Sequence, residues 1–370
     1  TANSKQQTAN SKQQTANSKQ HLIMKNFFVL FLFFFSHDAI SACTINAPYS
    51  INVPLTIGRI SAGNDIPNGS VIMKQRIMGL RSIGVSCNSS VIIKFDLLGG
   101  ELYPTKINVV AYKTGIQGLG VRFRQSYTNE FLPSSVTHVA SFSYNPQHFL
   151  SFYLEFIKLG EITSGTIDAS ILPQIKITHS ETGSAYQYNI ATYNFVGTSQ
   201  IEVPTCTTPD FTRWDLGSVD VNHLKIKGHA QWKDTPIILT NCSTFYGNNA
   251  NGSYTLYEAS SNGSYLQGTL NNNALFAKLS PMTEAIDWTN GILSLDAKST
   301  ASGVGIQLGS KQTGSYQPLN LLDKMQITPS IGYNGGTITF PLSARIIKTH
   351  DTLTMPGKVS ASVIYTITYQ

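Results

Sequence analysis

The chain has 370 residues, of which only 12% are charged, and a formal net charge of +6. Lys5, Lys12, Lys19, Lys25 and Asp38 fall in a leader, and without them the remainder carries +3. With no dense Lys/Arg run interleaved with aromatics, that balance removes the main support for a nucleic-acid partner.

Residues 1–23 open with a perfect heptapeptide repeat, Thr-Ala-Asn-Ser-Lys-Gln-Gln. One alanine per heptad cannot supply the apolar seam of a coiled coil, so the repeat buries nothing. It is explained at the level of DNA. Three copies of the unit ACAGCAA span seven codons and encode this heptapeptide, and no reading frame contains a stop. Gain or loss of a unit shifts the frame, which makes the tract a slippage-prone switch and predicts phase variation. Met24 is read as the start, leaving residues 1–23 as a repeat-encoded or untranslated leader outside the fold.

Residues 24–42 read as a signal peptide: Lys25, the apolar run Phe27 to Phe35, then small residues at Ala39, Ser41 and Ala42. The run is too short for a membrane span, which needs about 20 apolar residues. An exported, soluble mature chain starting near Cys43 is expected. Ile40-Ser41-Ala42-Cys43 also fits a bacterial lipoprotein box, in which Cys43 would be lipidated.

About 330 mature residues exceed what one core usually holds, so two domains are expected. The richness in Asn, Ser, Thr, Tyr and Ile favours strands. Alternating runs such as "SVIIKFDLL", "IKITH" and "YQYNIATYNF" recur between Gly/Asn/Pro clusters, and no long helical stripe appears. The fold class is all-β, with two β-sandwich domains at 43–202 and 205–370 joined by a linker at 203–204. The four cysteines fall as Cys43 with Cys87 and Cys206 with Cys242. Three connectivities are possible, and the sequential one keeps each disulfide within a domain, worth roughly 3–4 kcal/mol apiece in the chain-entropy model. Cys/His spacing suggests no zinc site.

Within 43–202, short polar side chains beside aromatics are the composition of glycan-binding loops. Three loops have it: Asn64 and Asp65; Arg124, Tyr127 and Asn129; Tyr144, Asn145 and His148. Gly115, Gly118 and Gly120 precede no helical pattern, so they read as turns or bulges and not as a dinucleotide loop. His138, His148 and His179 have uninformative spacing, and no metal or cofactor is expected. No GxSxG, HExxH or P-loop is present and the carboxylates form no recognisable acid/base pair, so no enzyme is expected. Asn68, Asn88, Asn241, Asn251 and Asn262 begin glycosylation sequons, a chance outcome in so Asn/Ser-rich a chain.

The chain ends "PGKVSASVIYTITYQ". Val359, Ala361, Val363, Tyr365, Ile367 and Tyr369 alternate with mostly hydroxylated residues, which predicts a half-buried strand running to the C-terminus. Gly357 fourteen residues from the end, with a penultimate Tyr369, resembles the C-terminal signature of subunits assembled by the chaperone–usher pilus pathway. Cys206, Asp215-Leu216-Gly217, Leu239-Thr240-Asn241-Cys242, Gly305-Ile306-Gln307-Leu308 and Phe340-Pro341-Leu342-Ser343-Ala344-Arg345 share that resemblance. The first domain is similar, more locally, to two-domain fimbrial tip adhesins through Cys43, "IPNG" at 66–69, Cys87 and "YKTGIQGLGVRF" at 112–123.

The resemblance implies that 205–370 is an incomplete immunoglobulin-like pilin domain lacking its last strand. The six alternating residues would line one wall of a groove, filled first by a periplasmic chaperone, at an outer-membrane usher, and then by an adjacent subunit's donor strand. A whole domain stands where a shaft subunit carries its own donor segment, so this chain accepts a strand and gives none, which implies the fimbrium tip. Residues 43–202 would then bind a host glycan or glycoprotein receptor. The alternative is a structural tip or adaptor subunit that caps or initiates the fibre.

Overall fold

The computed structural model describes residues 44–45, 48–79, 85–86, 89–138, 150–249, 255–259, 264–266, 269–349 and 353–370. Alternating strands dominate, as the composition predicts. In the first half they are β1 (Thr44–Ile45), β2 (Tyr49–Pro54), β3 (Arg59–Ser61), β4 (Val71–Gly79), β5 (Val85–Ser86), β6 (Val91–Leu98) and β7 (Tyr112–Lys113). Then follow β8 (Leu119–Gln125), β9 (Ser134–His138), β10 (Phe152–Lys158), β11 (Gly165–Asp168), β12 (Gln174–Glu181), β13 (Tyr188–Val196) and β14 (Thr198–Glu202).

The sheets β4-β10-β8-β7 and β2-β13-β12-β6-β9 face each other. Their inward residues make one core, in which Phe95 of β6 meets Phe152 of β10 edge-on at 5.8 Å and Phe123 of β8 meets Phe195 of β13 at 5.2 Å. Such aromatic pairs add about 1 kcal/mol beyond the area they bury. A third sheet, β11-β14-β3, uses residues up to Glu202, just before the linker expected at 203–204.

The second half contributes α1 (Val221–Lys227) and strands β15 (Lys233–Asp234), β16 (Ile237–Leu239), β17 (Thr255–Ala259), β18 (Ser264–Leu266), β19 (Leu275–Pro281), β20 (Ala285–Asp287) and β21 (Ile292–Leu293). The rest are β22 (Val304–Gln312), β23 (Ser315–Pro318), β24 (Lys324–Ile327), β25 (Ile338–Phe340), β26 (Leu342–Lys348) and β27 (Val363–Tyr369). The sheets β15-β26-β22-β21-β20 and β24-β19-β27 share a second core around Phe245, Leu279 and Phe340. The helix is capped by Asp220, whose side chain accepts from Asn222 N, and ends at Gly228 in the left-handed region.

The Cys206–Cys242 disulfide is present. Cys43 and Cys87 lie outside the described residues, and their chain neighbours Thr44 and Ser86 are antiparallel register partners. No helix among the described residues is long and apolar enough to cross a membrane.

One pairing crosses the boundary drawn at 203–204. β17 joins β4 in parallel register, Thr255 opposite Gln75 through Ala259 opposite Gly79, and β18 extends that sheet outward. Tyr257, only 5% exposed, enters the first core, and its hydroxyl donates to Asn52 O at 3.3 Å. Asn249 clamps β4 further, accepting from Lys74 N and donating to Lys74 O.

Candidate functional site

The C-terminal strand has one partnered and one unpartnered edge. Gln370 exchanges both backbone hydrogen bonds with Ala274, and Ser362, Ser360 and Lys358 carbonyls accept from Met282, Asp296 and Thr300. The even-numbered residues therefore turn toward the neighbouring chain segments. In an antiparallel ladder the residues between them turn the other way, so the N–H and C=O groups of Val363, Tyr365 and Ile367 point out of the sheet. Tyr369 confirms the phase, because its N–H leaves the strand on that side and donates to Asp65 Oδ2 at 2.8 Å.

The side chains of Val359, Ala361, Val363, Tyr365, Ile367 and Tyr369 all pack on the second core and remain only half-buried. The intervening Ile364 is 55% exposed. A facing wall is made by the chain from Cys206 to Leu216, with Trp214 and Leu216 on the same core. Cys206 N donates to the Tyr369 hydroxyl at 3.1 Å, and the Tyr365 hydroxyl donates to Pro209 O at 2.7 Å. The walls thus run antiparallel. No backbone hydrogen bond joins them among the described residues, and tyrosine side chains span the gap. With no ladder between them, an apolar trough lies beside an unpaired strand edge.

Gly357 turns the chain into this strand. A Cβ there would stand 2.4 Å from Ala301 N, so the approach of 357–358 to Thr300 and Ala301 excludes any side chain.

The loop residues chosen from sequence fall in separate places. Asn64 donates to Ile162 O and accepts from Ile162 N, tying two loops together beside the Lys158 end of β10. Asp65 touches Tyr369 as above. Arg124 and Asn129 meet at the opposite end of β8 and β10, roughly 20 Å away for strands of seven residues. There Arg124 Nη1 donates to Asn129 Oδ1 at 2.7 Å, Asn129 takes φ 62° in a tight turn, and Tyr127 is 61% exposed. Tyr144, Asn145 and His148 lie outside the described residues. Among the described residues no group of three or more possible metal ligands occurs.

Sequence reasoning passed over the partners of Arg124. Glu155, whose side chain is 4% exposed, accepts from Arg122 Nε at 2.8 Å and from Arg124 Nη2 at 3.0 Å. Tyr153 has the Lys74 ammonium 4.1 Å and the Arg124 guanidinium 5.0 Å from its ring centroid. The Lys74 ammonium is held below its ordinary pKa, first by burial and then by repulsion from Arg124, against the pull of Glu155. The signal was the charged outward positions of "VIMKQRIMG", "LGVRFRQ" and "FYLEFIK", although nothing in the chain order says that these three strands are neighbours.

No family model matches the chain, and no curated protein matches it. Among solved structures it is similar to the receptor-binding domain of the plasmid-borne adhesin MrkD1P of Klebsiella pneumoniae, at 24% identity over 45% of this chain and 99% of that one, TM-score 0.34. It is similar to the CupB6 tip adhesin of Pseudomonas aeruginosa at 13% identity, covering 88% and 93%, TM-score 0.32. For the chaperone–tip subunit complex CsuC–CsuE of Acinetobacter baumannii the values are 10%, 88% and 100%, with TM-score 0.27. The solved structures it is similar to thus include tip adhesins and other subunits of chaperone–usher pili.

Proposed function

We propose that this chain is a fimbrial tip adhesin, exported to the cell surface, whose second half is completed by a β-strand from another protein and whose first half binds a host receptor. The unpaired edge of β27 carries the reading. Three consecutive outward-facing residues offer backbone groups beside a half-buried apolar row, which is what a strand entering by β-addition needs. A periplasmic chaperone at the usher would supply that strand first, and the adjacent pilus subunit would replace it. The residues before Cys206 are hydrogen-bonded into the first half as β14, so no free segment is left there to donate in turn.

Hydrogen exchange on the purified chain, alone and bound to its chaperone, tests the mechanism. The amides of Val363, Tyr365 and Ile367 should exchange fast in the free chain and gain protection on binding, while those of Thr366 and Thr368 change little. Full protection of all five in the free monomer would refute strand acceptance. Adherence of fimbriated cells to host tissue tests the receptor role. Fibres that assemble with this subunit and never adhere would make it a structural tip or adaptor subunit instead.

A further inference from the structure

The outward face of β4, β10 and β8 gathers charge that is scattered along the sequence. In one row Arg76, Tyr153 and Arg124 stand side by side, and in the next Lys74, Glu155 and Arg122 do. Two rows on three strands thus hold four cations and one carboxylate. Glu258 lies one row further along, on β17 opposite Met78, and Glu130 lies on the turn after β8. Glu155 fixes the two β8 guanidinium groups without using their donors up. Arg122 gives it Nε, and Arg124 gives it Nε and Nη2, from five N–H groups each.

The central ring does not offer a sugar its apolar face. Lys74, Arg76 and Arg124 all approach Tyr153, at 4.1, 5.9 and 5.0 Å from its centroid, so the ring holds cations together. Packing them side by side costs repulsion that a bound anion relieves. The cations spread over two strand spacings, about 10 Å, and one step of about 7 Å along the strands. That exceeds the reach of a single carboxylate and fits several anionic groups carried on one chain. Phe131, which stacks on Arg122 at 4.4 Å and is 49% exposed, and Tyr127 form an amphipathic rim.

We infer that this face is the receptor site of the first half and that its ligand is a sulfated polysaccharide, its sulfate groups held by Lys74, Arg76, Arg122 and Arg124. The inference rests on the receptor-binding reading above and narrows it to one ligand class and one face.

The test is binding of the full mature chain, complexed with its chaperone so that the groove is filled, to immobilised heparin, chemically desulfated heparin, a sialylated oligosaccharide and a neutral oligosaccharide. Heparin should bind, with affinity falling steeply as salt rises, and desulfated heparin should bind at least tenfold more weakly. Lys74→Gln with Arg76→Gln should weaken heparin binding at least tenfold while the variant still unfolds cooperatively and binds the chaperone as the parent does. Those two residues are chosen because Glu155 keeps both its arginines in the variant. Equal binding to desulfated heparin, or a double variant that binds like the parent, would overturn the inference. Binding only to the sialylated or the neutral sugar would also overturn it and leave the adhesin reading standing. A folded chain that binds none of the four and does not adhere to host cells would remove that reading as well.

Discussion

Asp65 Oδ2 accepts the backbone N–H of Tyr369 at 2.8 Å, which joins a loop of the first half to the last turn-out of the groove strand. Gly63 makes the approach possible, since a Cβ there would stand 1.8 Å from Tyr369 O. Asn273 adds a third tie, donating from Nδ2 to Ser61 O at 3.0 Å. The Asp65 carboxylate thus covers one of the outward N–H groups of β27, and it is chemically committed to the junction between the halves. Asp65→Ala should lower stability by about 1.5–3 kcal/mol, the range for a hydrogen bond to a charged group, and should accelerate exchange of the Tyr369 amide. An unchanged melting temperature together with unchanged exchange would show that the contact contributes nothing.

The β17 hairpin makes the first half depend on the second. Tyr257 fills the first core, and the Thr56 and Thr255 hydroxyls meet at 2.6 Å beneath it. Tyr257→Ala should cost about 3 kcal/mol, the low end for emptying an aromatic site. The fragment 43–202 should be less stable than the same residues within the whole chain, because it uncovers the hydrogen-bonding edge of β4 as well as the Tyr257 site. Denaturant unfolding of both proteins measures this, and a fragment as stable as its counterpart would show that the hairpin is dispensable.

The same hairpin marks the limit of sequence reading. Local alternation was enough to place the C-terminal strand and its apolar row, because side chains on a strand repeat every two residues wherever the strand pairs. Partners distant in the chain left no such trace. Nothing in "GSYTLYEAS" distinguishes a strand that pairs with β4 from one that stays in its own half. Asp65 likewise had the look of a loop residue facing solvent until the register brought Tyr369 beside it. The basic face escaped for the same reason. Each strand contributes two charges at most, too few for a run, and the sheet order alone sums them.

Glu155 is the single carboxylate among the described residues of the two rows of that basic face, and it is buried. Removing it leaves two mostly buried guanidinium groups facing each other with Lys74 and Arg76 alongside, so Glu155→Ala should destabilise the first half by about 3 kcal/mol. Because the defect is unmatched positive charge, sodium sulfate should restore more of the lost melting temperature in the variant than it adds to the parent. A variant that melts like the parent would mean that solvent already screens this face, contrary to the 18% and 20% side-chain exposure of Arg122 and Arg124.

His138 on β9 and His179 on β12 give the chain a second acid-sensitive range. The two strands flank β6, where His138 is the register partner of Val91 and His179 of Ile93. Burial lowers both pKa values from the ordinary 6.5, and for His179 the neighbouring His138 adds repulsion. A histidine held neutral in the fold binds its proton more readily once unfolded. Stability is therefore complete above about pH 6.5 and falls as pH drops from there toward the folded-state pKa, by at most about 1.4 kcal/mol per pH unit for each histidine. Carboxylates act lower. Asp287, pulled down to about 2 by hydrogen bonds from Asn290 and Thr289, loses its contribution only as pH falls below about 4. Melting temperatures measured between pH 7 and 5 should consequently decline in the parent and decline less in His179→Gln. Curves that run parallel from pH 7 to 5 would mean that His179 does not titrate with unfolding in that range.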